Sequence, residues 1–390
     1  KIRAKVSPHD SAQRFQKMGI DIFFGQAHFT GKNTLTVENQ TLQFDKAVIA
    51  TGASPVHPKL NGIEEAGYLT NETVFNLTKP PQRLAVIGGG PIGCELAQAF
   101  QRLGCEVILF HKHAHLLNKE DTDAAQIVQD AFVQEGVKLV LNAKMERVSR
   151  NEGGKTISYS SNGESGTVTV DEILISAGRS PNVAGLNLEA VGVEYDERHG
   201  VKINDYLQTT NPKIYAVGDI CMKWKFTHAA DAAARIVIKN TLFTPFGIGK
   251  DKLSDLVMPW VTYTDPEIAH VGMYEHEAQE KGIKVNTIKV DFDDLDRAIA
   301  DGDEEGFLKI HHRQGSDEIL GATIVAPHAG EMISEVTTAI VNKVGLGSLA
   351  SVIHPYPTQA EAIKKAADFY RRTKLTGRTK SLLRLLNKFA

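Results

Sequence analysis

Short apolar runs alternate with longer segments whose apolar residues recur at helical spacing, and this alternation persists through most of the chain. It is the pattern of α/β architecture. Ser7 to Gly19 reads as a polar helix with a glycine stop. Asp21 to Phe44 reads as a small antiparallel meander broken at Gly25, Gly31 and Asn33. Lys46 to Ala50 is an apolar strand, and residues 55–82 form a Pro- and Gly-rich connection. Arg83 to Ile87 is a buried strand, followed by a helix running to Arg102 and a further strand over 104–110. Asp121 to Gln134 predicts a helix closed by Gly136. Strands fill 137–178, a strand over 211–219 ends in an acid, and an Ala-rich helix covers Thr227 to Asn240. From Leu253 the texture changes. Strands at 285–292, 306–312 and 318–326 precede a helix at 329–344, and the loop His354-Pro355-Tyr356-Pro357 leads to a last helix at 358–373. That order predicts a separate α+β domain.

At roughly 150 residues per domain, 390 residues predict two or three domains. A net charge of −3 excludes a nucleic-acid partner for the whole chain. No apolar run reaches the length of a transmembrane helix, and Lys1 to Lys5 opens no signal peptide. Cys94, Cys105 and Cys221 are odd in number and lack CxxC or CxxxxC spacing, which excludes a disulfide framework and a Cys-rich zinc site. This usage points to a reducing compartment, the cytoplasm. Cys94 and Cys105 read as small buried hydrophobes. The tail from Arg371 to Lys388 carries seven basic residues and no acid, with leucines on one side. Such a helix could touch an anionic membrane; the plainer reading packs it on its own domain.

The chemistry-bearing motif is Gly88-x-Gly90-x-x-Gly93, placed between a strand and a helix as a βαβ unit requires. Gly88 permits the tight turn, Gly90 lets backbone N–H groups approach a pyrophosphate at the helix N-terminus, and Gly93 allows close helix–strand packing. An acid after the second strand would read the ribose 2′-OH of NAD, whereas cations accommodate a 2′-phosphate. His111-Lys112-His113 stands there, which favours NADPH over NADH. Tyr215-Ala216-Val217-Gly218-Asp219 is a strand ending in a carboxylate suited to ribose or ribityl hydroxyls. One internal echo links Asp45–Ala53 with Asp171–Arg179: each is an acid, an apolar strand, a small residue and glycine. The second copy follows a Gly-rich turn at an offset that, applied to the first, falls before residue 1.

Taken in order, Ala50-Thr51-Gly52, Gly88-x-Gly90-x-x-Gly93-x-Glu95, Ala177-Gly178-Arg179-x-Pro181-Asn182, Tyr215–Asp219, Thr264-Asp265-Pro266-Glu267 and Pro355-Tyr356-Pro357-Thr358 with Glu361 resemble FAD-dependent pyridine nucleotide–disulfide oxidoreductases, above all the mercuric reductase-like branch. The resemblance implies two doubly wound, Rossmann-like nucleotide-binding domains and an α+β C-terminal dimerisation domain. It places a remnant of the FAD-binding domain at 1–83, the NAD(P)-binding domain at 84–178, a second FAD segment at 179–252 and the dimerisation domain at 253–390. It implies that Asp219 holds the flavin ribityl chain, with Phe226, Thr227 and His228 close by. Glu95 and Gly178 would line the nicotinamide nucleotide site, with His111 where the ribose is read. Further cofactor-binding positions are Thr51, Gly52, Pro91, Ile92, Lys112, Val148, Arg179 and Gly218.

Two departures from the family pattern matter. No Gly-rich FAD turn and no CxxxxC pair occur in this sequence, so the chain is expected to lack the front of an FAD domain and to be inactive by itself. Where the dehydrogenases carry a His-Pro-Thr base, Tyr356 stands, with Glu361 five residues on. Tyrosine is a poor base at neutral pH, although it can donate a hydrogen bond or, as phenolate, touch a metal ion. Mercuric reductases resemble this pattern, but their terminal cysteine pair has no counterpart after Cys221. The expectation is a homodimeric flavoenzyme that passes electrons from NAD(P)H through FAD and a cysteine pair to a disulfide or a thiolate-bound metal ion such as Hg(II). Tyr356 and Glu361 of the second subunit would complete its acceptor site. Dihydrolipoamide dehydrogenase or a glutathione reductase-like enzyme is the alternative, and a non-catalytic nucleotide-binding or dimerisation module is the alternative of another class.

Overall fold

The computed structural model describes residues 2–387. The chain forms two compact units, each discontinuous in sequence: 1–54 with 179–256, and 55–178 with 257–390. Lys388, Phe389 and Ala390 of the basic tail lie outside the described residues. Among the described residues no helix is long and apolar enough to cross a membrane.

In the first unit, strands Ala27–Gly31, Thr34–Val37 and Gln40–Gln43 form the expected antiparallel meander. Strand Ala47–Ile49 pairs in parallel with Ile214–Ala216. Phe29, Ile49, Val183, Leu188, Ile214, Ala216 and Ile220 make its buried core. The segment read as one helix from Ser7 to Gly19 is instead divided. A 3-10 turn, Ser7–Asp10, precedes helix Ala12–Lys17. Ser11 divides them because its extended backbone and hydroxyl, which accepts the Arg14 N–H at 3.2 Å, make it an N-cap.

In the second unit, four parallel strands lie in the order Glu172–Ile175, Arg83–Ile87, Glu106–Phe110, Lys138–Val140. Leu84–Val86, Val107–Phe110 and Ile173–Ile175 are buried, as apolar strands covered on both faces require. Helix Pro91–Arg102 connects the first two in chain order. A three-stranded antiparallel sheet, Ala143–Asn151, Gly154–Ser161 and Glu164–Val170, closes one side through Ile157, Val148 and Val170.

The C-terminal part of this unit is a five-stranded sheet in the order Pro259–Thr262, Glu267–Gly272, Ile319–Ala326, Phe307–Arg313, Val285–Asp291. Helices Ala329–Val341 and Glu361–Thr373 cover one face of that sheet through Ile333, Val336, Ile363 and Ala366. The other face packs on the nucleotide sheet's helices, so Ile268, Phe307 and Val325 share one core with Leu84, Val86 and Phe132. The Thr264-Asp265-Pro266-Glu267 loop fastens the two. Gln98 brackets Asp265, accepting from its N–H at 2.8 Å and donating to its carbonyl at 2.7 Å, and Arg102 pairs with its carboxylate at 2.8 Å.

Candidate functional site

The turn between Ile87 and Pro91 is forced by contacts that exclude side chains. Gly88 has φ +122, and a Cβ there would sit 2.5 Å from the Ser176 carbonyl oxygen. A Cβ on Gly93 would sit 1.8 Å from the Gly88 carbonyl oxygen, so only glycine lets the helix approach its own turn. At Gly90 nothing lies within 4 Å of that direction. The turn is therefore closed toward the sheet and open at the helix N-terminus, where Pro91 occupies the first helical position. The unpaired amides and the positive end of the helix dipole suit this opening to an anion. Ile92 is half-buried on the first turn. Glu95, one turn on, accepts the Tyr263 N–H at 2.9 Å, and burial holds its carboxyl above the usual range despite that bond.

Beyond strand Glu106–Phe110 the expected ribose-reading run divides by direction. His111 is only 7% exposed, and its Nδ1 accepts the Gly89 N–H at 3.0 Å. Burial, then the neighbouring His113, pushes its pKa down to about 4, so the ring is neutral at pH 7. Lys112 and His113 are exposed. His111 thus belongs to the wall of the glycine turn, and the solvent-facing cation is Lys112. Gly178, with φ +131, ends the segment after strand Glu172–Ile175, and its carbonyl accepts the Val56 N–H at 3.0 Å. Val148 is 1% exposed inside the sheet core, and its N–H is bonded to the Asn61 carbonyl at 2.8 Å.

In the first unit, Thr51 and Gly52 follow the strand Ala47–Ile49. The Thr51 hydroxyl donates to the Asn182 carbonyl at 3.0 Å, and the Asn182 amide returns a bond to the Thr51 carbonyl at 2.9 Å. Gly52, at φ +68, has open space where a Cβ would point. Gly218 abuts Ala230 of helix Thr227–Leu242 closely, a Cβ lying 3.1 Å from that methyl. Asp219, whose side chain is 12% exposed, pairs with Arg179 at 2.6 Å, and Arg179 also donates to the Ala53 carbonyl at 2.9 Å. Phe226 and His228 stack at 5.3 Å with 6° between their planes, flanking Thr227 at the helix start. Burial, then the charge of Asp219, pushes the Cys221 thiol up to about 12, which leaves it un-ionised and a poor nucleophile.

The C-terminal loop carries Tyr356 at the position where the sequence pattern leads one to expect a base. Tyr356 is 71% exposed and donates its hydroxyl to Asp296 Oδ2 at 2.6 Å. That bond and the Asp296 charge, with a smaller contribution from Glu361, hold its pKa above the ordinary tyrosine value. Tyr356 is therefore a neutral hydrogen-bond donor at pH 7, not a base. Glu361 is the half-buried first residue of helix Glu361–Thr373. His354, two residues before Tyr356, points its Nε2 at both Glu335 oxygens at 3.1 Å, and its side chain is 5% exposed.

Residues 5–234 match the family described as pyridine nucleotide-disulphide oxidoreductase, and residues 258–367 match that family's dimerisation domain. The chain belongs to this family. The family comprises flavin enzymes that use NAD(P)H, built from two nucleotide-binding domains and a dimerisation domain. The chain is 35% identical over 352 residues to a mercuric reductase of Staphylococcus aureus, covering 90% of this chain and 64% of that protein. It is 32% identical to a dihydrolipoyl dehydrogenase of Geobacillus stearothermophilus, covering 90% of this chain and 74% of that one. Among solved structures it superposes on the HOCl-induced flavoprotein disulfide reductase RclA of Escherichia coli with a TM-score of 0.84 at 28% identity, covering 94% and 84% of the two chains.

Among the partners of the candidate residues, Asp296 and Glu335 were not legible in the sequence. Asp296 lies 60 residues from Tyr356 and Glu335 lies 19 from His354, and no local pattern announces either partner. Gly89 was read only as part of the turn; its clamping by His111 depends on a contact 22 residues away.

Proposed function

We propose that this chain is the nicotinamide-nucleotide and dimerisation part of a flavin-dependent reductase that draws electrons from NADPH and delivers them to a thiolate-bound metal ion or a disulfide. The observation that supports it most is the glycine turn: closed by Gly88 and Gly93, open at Gly90, and set on a helix N-terminus. Such a turn fits a pyrophosphate. Gly178 and Glu95 would flank the nicotinamide half. Thr51, Gly52, Gly218 and Asp219, with Phe226, Thr227 and His228, would hold the flavin's sugar chain. When bound, NADPH would supply a hydride and FAD would relay its electron pair.

The preference for NADPH rests on Lys112. With His111 turned inward as a neutral acceptor, Lys112 is the cation left in the run after the second strand, and no acid follows it in sequence before Glu120. The acceptor reading rests on Tyr356. An exposed neutral phenol can orient or donate to an acceptor but cannot take a proton from a thiol near pH 7, which favours a metal ion held by thiolates over a dithiol needing a base. The likeness to mercuric reductases agrees with this. The homodimer would form through residues 258–367.

The test is calorimetric titration of the chain with NADPH and NADH. NADPH should bind the wild type more tightly, and Lys112→Glu should reduce or reverse the ratio, by about tenfold for one charge-assisted phosphate contact. Equal affinities in the wild type, unmoved by the substitution, would remove the NADPH preference. No binding of either nucleotide would remove the nucleotide reading itself.

A further inference from the structure

We infer that Glu120 is a positioning residue for the dinucleotide turn, carrying the packing of the C-terminal sheet onto Gly89. The inference rests on the reading that the Gly88–Gly93 turn takes the nucleotide.

Glu120 belongs to the nucleotide-binding part of its unit, yet its carboxylate is satisfied by the other part. It accepts the Trp260 indole N–H at 2.9 Å and the Tyr274 hydroxyl. Those donors are themselves fixed. The Tyr274 ring, 4% exposed, stacks on His270 with centroids 3.7 Å apart, and His270 Nδ1 bonds the Thr323 hydroxyl at 2.8 Å. Trp260, His270 and Thr323 are register partners across three adjacent strands, and Lys309 continues the row. Lys309 reaches back to Asp121 at 2.9 Å and Asp123 at 2.8 Å. One row of the C-terminal sheet therefore grips residues 120–123 at three points.

From Glu120 the path to the turn is two hydrogen bonds long. The Glu120 N–H donates to the Leu117 carbonyl at 2.8 Å, and the Leu117 N–H donates to the Gly89 carbonyl at 2.8 Å. Leu117 is held at φ +48 and 2% exposed, a backbone state that must be imposed by its surroundings. Gly89 has no room for a side chain: a Cβ there would lie 2.7 Å from Leu116 and 2.8 Å from the His111 ring. The peptide that follows Gly89 carries the Gly90 amide. Its tilt decides whether that amide faces a bound pyrophosphate, and a small misplacement of such a donor lowers affinity. Burying a carboxylate is costly unless hydrogen bonds offset it, and donors that do so also fix where it sits. Here the geometry specified is that of residues 117–120.

The test compares wild type with Glu120→Gln and Tyr274→Phe. Glutamine keeps one acceptor but sets an amide N–H against a donor; phenylalanine removes only the hydroxyl. Each is titrated with NADPH and NADH, with thermal melts recorded alongside. A Trp224→Phe background leaves Trp260 as the only tryptophan, because the chain has two. In that background the nucleotide should shift Trp260 emission. Glu120→Gln should weaken binding about tenfold and abolish the shift, and Tyr274→Phe should weaken it several-fold. If the wild type binds while both variants bind equally well and Trp260 emission never moves, Glu120 is only a structural seam and the inference fails. If the wild type binds neither nucleotide, the reading of the turn fails and takes this inference with it.

Discussion

His111 shows how much of a residue's role depends on which way its side chain turns. Its place at the end of the second strand is legible from spacing, but its direction is set by the Gly89 N–H, 22 residues earlier. A consequence for stability follows. Folded, its pKa is about 4; unfolded, it returns to near 6.5. Between those values the unfolded chain binds a proton that the folded chain refuses, so stability rises with pH across the window. The contribution is complete above about pH 6.5 and is lost as pH falls toward 4. His270, pushed by burial to about 3, acts with the same sign. Wild type should therefore lose melting temperature steadily from pH 6.5 to 4. His111→Asn, which keeps an acceptor for Gly89 but does not titrate, should lose less over that interval. Parallel curves for the two proteins would show that the folded imidazole is not held neutral.

At the scale of elements, the strand–turn–helix around Gly88 was readable because each glycine answers a local steric demand. Gly93→Ala tests that demand. A methyl 1.8 Å from the Gly88 carbonyl must push the helix off its turn, costing about 2–4 kcal/mol and removing nucleotide binding. Gly104→Ala is the contrast. It has φ +90 with open space around it, so it should cost about 1–2 kcal/mol of backbone strain and leave binding unchanged. Equal binding by both variants would show that the turn does not shape the site. Other elements were hidden. Strands Pro259–Thr262 and Glu267–Gly272 carry prolines at or beside their starts and bury Thr262 and His270, so they lack the apolar alternation of a half-buried strand. The break at Ser11 was hidden because a capping serine inside a polar segment looks like any surface residue.

For the whole molecule, the α/β class and the change of texture near Leu253 follow from periodicity, which is local. The shared core does not, because it joins residues far apart in sequence. Phe307 and Val325 of the C-terminal sheet pack with Leu84, Val86 and Phe132 of the nucleotide-binding part, and Trp260, Tyr274 and Lys309 meet residues 120–123 beside them. Those two parts should therefore unfold together, while the unit of 1–54 and 179–256 keeps its own core around Ile214 and Ile49. Phe307→Ala decides it. Phe307 is 1% exposed, and removing its ring should cost about 3–5 kcal/mol through lost burial and a cavity. Amide exchange should then quicken both in strand Arg83–Ile87 and in strand Ile319–Ala326, by similar factors, because one opening exposes both. Strand Ile214–Ala216 should exchange as in the wild type. Faster exchange confined to the C-terminal sheet would mean that the shared cluster is contact without cooperativity, and the path from Trp260 to Gly89 would then lack the rigid support it requires.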